Sequence, residues 1–206
     1  MSDRLTREFY ARDTIDVARE LLGKRLVHRL PDGARVSGRI VETEAYLGLE
    51  DPACHSFGGR CTPRTAVMYG DPGLSYIYFI YGVHFCFNVV TVARDVPEAV
   101  LVRALEPVEG IERMYAREPG LPPHRLANGP GKLCLALGLG RAHNGLDLTS
   151  SDVLWIEPDG VRKDETVIEG PRIGIGDRHD AIHWPLRFGF RGHPALSPAK
   201  FPDCVE

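Results

Sequence analysis

The sequence predicts an α+β protein, a single compact domain over residues 1–206 built on a curved, mostly antiparallel sheet. Flanking helices and a protruding β-hairpin complete the expected architecture. Three observations predict it. Short runs rich in β-branched and aromatic residues recur along the chain between turn signals. Helical periodicity is confined to a few brief, capped segments. One aromatic run, Ser75 to Val90 (SYIYFIYGVHFCFNVV), is broken by Gly82 in the manner of a hairpin. With 43% apolar residues, the 206-residue chain can fill one core.

The elements follow in order. Asp13 can cap a helix over Thr14 to Leu22, with Ile15, Ala18, Leu21 and Leu22 inward and Gly23 as its stop. Lys24 to Leu30 and Ala34 to Leu47 read as strands joined by the turn Pro31-Asp32-Gly33. Gly48 to Met68 is a long irregular loop, and such loops in compact domains are usually functional. In the hairpin, a turn centred near Val83 would set Tyr78 across from Asn88 and leave Tyr81 at the exposed tip. Val100 to Ala104 is a strand leading into a helix over about Val108 to Ala116. A Pro-rich loop spans Glu118 to Pro123, and Asn128 caps a helix from Pro130 to about Leu137. Val153 to Ile156, Thr166 to Ile168, Arg172 to Ile175 and Leu186 to Arg191 are short strands, and Pro194 to Glu206 is a loose tail.

Two runs carry chemistry. Residues two apart share a face of a strand, so Glu42, Glu44 and Tyr46 line up opposite Val41, Thr43, Ala45 and Leu47. The plain reading of the first set is a solvated polar face; the other is a pocket wall of two acids and a ring. The hairpin tip is similarly open. Tyr81 is either a wedge or an aromatic packed on a neighbouring loop.

ETEAY, the HSFGGRCTPR loop, the YFIYG hairpin with Asn88, and Val102-Arg103-Ala104-Leu105-Glu106-Pro107 resemble the alkyladenine (3-methyladenine) DNA glycosylases. The blocks Asn128 to Cys134 and Pro171 to Gly176 match as well, and the resemblance runs from about Asp13 to about Gly192. It implies a monofunctional enzyme that flips alkylated or deaminated purines out of DNA and hydrolyses the N-glycosidic bond, leaving an abasic site. Glu44 matches the acid that activates water, and Arg103 and the Ile173 carbonyl match groups that hold that water. Tyr46 and Tyr78 match rings that sandwich the base. His55 matches a backbone contact to the base edge, and Asn88 matches an amide that crowds guanine's amine. Tyr81 matches the residue inserted into the duplex. Val83 and His84 stand where some relatives carry larger residues, which alters the wedge. The chemistry fits: extruding a base costs a few kcal/mol, and stacking on aromatic faces returns roughly 1–3 kcal/mol per base.

Competing readings remain at the level of sequence. Glu42 and Glu44 lie roughly 6.5–7 Å apart along a strand, near the about 6.5–9.5 Å separation of an inverting carbohydrate glycosidase. A binding module is the other, since the family's fold is similar to a non-catalytic domain of formyltransferases. The net charge of −3 requires any DNA-facing basic surface to be local. Arg60, Arg64, Lys132, Arg141 and Arg172, in or near the motif blocks, are the candidate phosphate contacts, each against the alternative of a solvated or ion-paired arginine or lysine. Five scattered cysteines without CxxC or HExxH predict reduced thiols and no metal site. No cofactor is expected. The partner is double-stranded DNA with a damaged purine, engaged by a monomer; no membrane span is foreseen, and the expected location is cytoplasmic, at the nucleoid when DNA-bound.

Overall fold

Strand β2 (Arg35–Tyr46), twelve residues long, organises the molecule. The computed structural model describes residues 4–159, 162–177, 180–199 and 201. The first half of β2 pairs with β1 (Arg25–Arg29), and its far end pairs with β8 (Arg187–Phe190) at Glu42 to Glu44. Along its other edge runs β5 (Ala99–Glu109), which in turn pairs β4 (His84–Val90), and β4 pairs β3 (Ser75–Ile80). β6 (Leu154–Glu157) extends the sheet beyond β1, and β7 (Val167–Gly170) beyond β8. All these pairings are antiparallel, in one eight-stranded sheet. Register shifts between Ile40, Glu42 and Thr43 bulge β2 against β5, and bulges bend strands. That bend lets one strand serve two neighbours on the same edge and curls the sheet.

Short helices cover the sheet. A single turn, α1 (Arg7–Tyr10), precedes α2 (Thr14–Glu20). Asp13 caps α2 as expected, accepting from Ile15 N and Asp16 N. The helix stops at Glu20, two residues short of the expected end, because Leu21 and Leu22 fold into the core beside Val17 and Ala18. The expected helix from Val108 begins only at α3 (Ile111–Arg117). The β5 ladder continues through Gly38↔Pro107 and Ser37↔Glu109, and sheet pairing overrides local propensity there. Gly110 then breaks direction in the left-handed region, where a Cβ would come 2.6 Å from Val36.

Four further expectations are corrected. Helix α4 (Pro130–Leu137) takes Gly129 as its N-cap, not Asn128. Residues 172–175 form no strand; they cross the end of β2 as a loop. The hairpin registers Tyr76 with Asn88 and Tyr78 with Cys86, so the turn centres on Gly82. Both Tyr81 (φ 54°) and Gly82 (φ 72°) adopt the left-handed region, which closes the loop one residue earlier than a turn at Val83. The described part of the tail is not loose. Ala195 and Ser197 are buried, and Phe201 lies 3.7 Å from the Arg187 guanidinium carbon. The rest of the tail, residues 200 and 202–206, lies outside the described residues.

β2 is buried on both faces. Thr43 donates to the Ala18 carbonyl of α2 on one side; the loop after β7 and the C-terminal segment cover the other. The solvated face read from alternation is therefore absent, and Glu42 and Glu44 are fully buried. Among the described residues, no helix is long and apolar enough to cross a membrane. Cys54, Cys86 and Cys134 are buried free thiols and Cys61 an exposed one; Cys204 lies outside the described residues.

Candidate active site

The two acids of β2 live in different circumstances. Glu42 Oε1 accepts from Arg103 Nε (3.2 Å), Arg187 Nε (2.8 Å) and Ser197 Oγ (2.7 Å), and Oε2 accepts from Ser197 N (2.7 Å). Three of the four donors crowd Oε1 and one reaches Oε2. Glu44 holds fewer. Its Oε1 accepts from Ile173 N at 2.8 Å and faces Arg103 Nη1 at 3.2 Å, while Oε2 accepts from the Tyr46 hydroxyl at 2.8 Å. Arg103 bridges the two acids. Burial depresses its pKa, but Glu44 and Glu42 outweigh that and the net shift is upward.

Tyr46 forms a wall of a cavity of about 310 Å³. The hairpin contributes Tyr76, Tyr78 and Asn88 to its lining, and the loop after β2 contributes His55. Tyr76 and Tyr78 share a face of β3. Their rings lie 5.4 Å apart, and His55 stands edge-on to Tyr78 at 4.6 Å. His55 Nδ1 bonds the Tyr76 hydroxyl at 2.9 Å. Asn88 is fixed by donating Nδ2 to the Tyr76 carbonyl at 2.9 Å. Burial raises all three phenols: Tyr76 to about 12, and Tyr46 and Tyr78 well above their usual range, with Glu44 adding to Tyr46 and Cys86 to Tyr78. They remain protonated donors at neutral pH. The cavity therefore offers flat apolar faces with a few fixed polar groups, the composition of a small-molecule or base pocket.

The structure brings Glu44, Arg103, Ile173, Tyr46, His55, Tyr78 and Asn88 into one region, although Ile173 touches Glu44 through its amide N–H rather than its carbonyl. Tyr81 sits at the hairpin tip at the cavity's edge, 80% exposed. Arg60 lines the cavity and is exposed; Arg141 is exposed; Lys132 reaches the Arg125 carbonyl at 3.4 Å. Arg64 is exposed and stacks over the Tyr78 ring.

Arg172 is a correction. It is buried, held by both Asp51 oxygens and the Ala45 carbonyl, and packs 4.7 Å from the Tyr46 ring centroid. It cannot reach a phosphate. Sequence reasoning missed Asp51, whose carboxylate also accepts from Leu47 N and Ala53 N and so ties the loop after β2 to the back of Tyr46. The signal available was its place five residues beyond the end of the strand, an Asx turn position. Cys54, Phe57, Met68, Ile80 and Ala99 are among the further apolar lining residues, also unforeseen.

The family model for methylpurine-DNA glycosylase (MPG) matches residues 8–194. A protein of Desulfitobacterium hafniense named "Putative 3-methyladenine DNA glycosylase" is 49% identical over 193 residues, covering 90% of this chain and 94% of its own. A protein of the same name from Clostridium acetobutylicum is 46% identical over 205 residues, covering 96% and 98%. One from Bacillus cereus, again with that name, is 48% identical over 201 residues, covering 92% and 96%. With the match spanning the sheet, the hairpin and the loop that meets Glu44, the chain belongs to the methylpurine-DNA glycosylase family.

Proposed function

We propose that this DNA N-glycosylase extrudes an alkylated or deaminated purine from duplex DNA into the cavity between Tyr46 and Tyr78 and cleaves its N-glycosidic bond with water oriented by Glu44. The observation that carries the reading is the Glu44 carboxylate. It is buried beside an aromatic cavity, fixed by three protein donors, and its Oε2 accepts only from Tyr46 among the described residues. One acceptor position remains for a water proton. Arg103 and the Ile173 amide hold the acid at a set angle, and the carboxylate faces positive charge as it develops on the sugar.

The supporting parts have separate tasks. Tyr46 and Tyr78 stack the base. His55 closes the end of the pocket, and Asn88, held by its Tyr76 bond, occupies the space that guanine's exocyclic amine would need. Tyr81, left-handed and exposed at the tip, fills the vacated place in the duplex. Arg60, Lys132 and Arg141 contact phosphates. One copy of the chain acts on one lesion. Glu42 accepts four hydrogen bonds, from Arg103, Arg187 and twice from Ser197, against three donors at Glu44, which disfavours the two-acid inverting mechanism.

The test is excision from duplexes carrying single lesions, read as abasic sites. Glu44→Gln keeps lesion-DNA affinity within about tenfold while cleavage falls by about 10²–10⁴, the scale of general-base loss. Near-normal cleavage by this variant would remove Glu44 from the mechanism.

A further inference from the structure

Cleavage of the glycosidic bond moves charge in one direction. The C1′–N9 bond breaks, its electron pair leaves with the purine, and water adds hydroxide to C1′ while its proton passes to Glu44. Whatever the lesion, the base becomes more negative by one unit: a cationic 3-methyladenine leaves neutral, and a neutral hypoxanthine leaves as an anion until protonated. A fixed cation near the base therefore treats the two classes oppositely. It repels a cationic base that has not yet shed its charge and attracts the negative charge growing on a neutral one.

Two guanidinium groups stand against the rings of the cavity. Arg172 lies over Tyr46, but Asp51 engages it through both oxygens, and the pair cancels at a distance. Arg64 lies over Tyr78, with its guanidinium carbon 4.9 Å from the ring centroid, and no carboxylate pairs with it among the described residues. Arg64 is absent from the residues that line the cavity, whereas Tyr78 lines it. The Arg64 charge also reaches the Tyr76 hydroxyl, where it opposes the upward push of burial.

We propose that Arg64 is a specificity-determining residue that acts through Tyr78, favouring excision of neutral purine lesions over cationic N-alkylated ones. The inference rests on the proposed base-flipping function. A base stacked about 3.5 Å beyond the ring would lie roughly 8 Å from the charge. At an effective dielectric of about 20, one unit of charge there is worth roughly thirtyfold in an equilibrium. A neutral base loses the share of that factor corresponding to charge already transferred in the transition state. A cationic base gains the remainder. Their ratio therefore moves by the full factor wherever the transition state lies.

The experiment measures kcat/KM for hypoxanthine release from an inosine-containing duplex and for 3-methyladenine release from a dimethyl sulfate-treated duplex. Arg64→Gln shifts the ratio about thirtyfold toward 3-methyladenine, with the hypoxanthine value falling, and Arg64→Lys holds it near the parent ratio. A shift of threefold or more in that direction for Arg64→Gln, reversed by Arg64→Lys, bears the proposal out. An equal fall for both lesions together with weaker binding of undamaged duplex makes Arg64 a phosphate contact and overturns it, as does any smaller or opposite shift. Release of neither base by the parent protein would instead sink the glycosylase reading beneath it.

Discussion

Ser197→Ala tests whether the C-terminal segment is part of the working fold. Ser197 donates from both its amide and its hydroxyl to the fully buried Glu42, and the hydroxyl bond is 2.7 Å long. Hydrogen bonds to a charged acceptor contribute about 1.5–3 kcal/mol. The alanine variant keeps the amide bond and loses the other. For a chain of this size each kcal/mol moves the midpoint by about 2–4 °C, so the melting temperature falls by roughly 3–12 °C. The assay is thermal unfolding, run alone and in a Glu42→Gln background. In that background the serine substitution costs less, because its charged acceptor is gone, and the cycle reports a coupling of about 0.5–3 kcal/mol. A melting temperature within about 1 °C of the parent would refute the reasoning, as would strict additivity.

The other predictions concern DNA, acid and the abasic product. Three remaining phosphate cations, Arg60, Lys132 and Arg141, give a salt slope near −2.7 in log K against log salt, and Arg60→Ala reduces it by about one; a slope beyond −5 would point to cations not considered. Tyr81→Ala lowers lesion-specific binding and leaves that slope unchanged, which titrations at several salt concentrations check. His28 and His143 form a neutral chain, Gly140 N–H to His143 Nδ1, His143 Nε2–H to His28 Nε2 at 3.1 Å, and His28 Nδ1–H to the Leu137 carbonyl. Burial depresses both pKa values, so the unfolded chain binds more protons just below about pH 6.5; stability is full above that pH and declines as pH falls through it, and denaturant titrations from pH 7 to 5 show no such decline if the chain is charged when folded. Among the described residues no lysine lines the cavity, so borohydride traps no protein–DNA adduct, and a trapped band would reveal an amine nucleophile.

What the sequence made legible was local. Period-two alternation placed Glu44 with Tyr46, and Gly82 marked the hairpin, because both signals depend on neighbours a few residues away. The hairpin register was off by two residues since a non-glycine residue, Tyr81, takes a positive φ that no propensity foretells. Ile173 meets Glu44 across 129 positions, so only the family resemblance could pair them. Arg172 read as a phosphate ligand because an arginine announces charge and not burial; its partner Asp51 lies 121 positions away. The alternation that suggested a solvated face was real. Its error was to assume that polar residues on a strand must meet water.

That error bears on why the site works. Glu42, Glu44, Arg103 and Arg187 form a buried set of two negative and two positive charges, closed by Ser197. Replacing such a set with apolar side chains is often neutral or stabilising in other proteins, so folding alone does not explain it. Removing one member is another matter, costing about 3–5 kcal/mol because the others stay buried without a partner. The network is therefore stiff: no charge can leave without exposing another. Stiffness has a use here. Arg103 holds Glu44 by one nitrogen and Glu42 by another, and Glu42 is itself held by strand β8 and the C-terminal segment. In the proposed reaction, an acid that presents one oxygen to a water beside a base stacked on Tyr46 gains from being unable to turn. In the proposed reaction the second acid of the strand has a positioning role, since Glu42 is what anchors the arginine that holds Glu44.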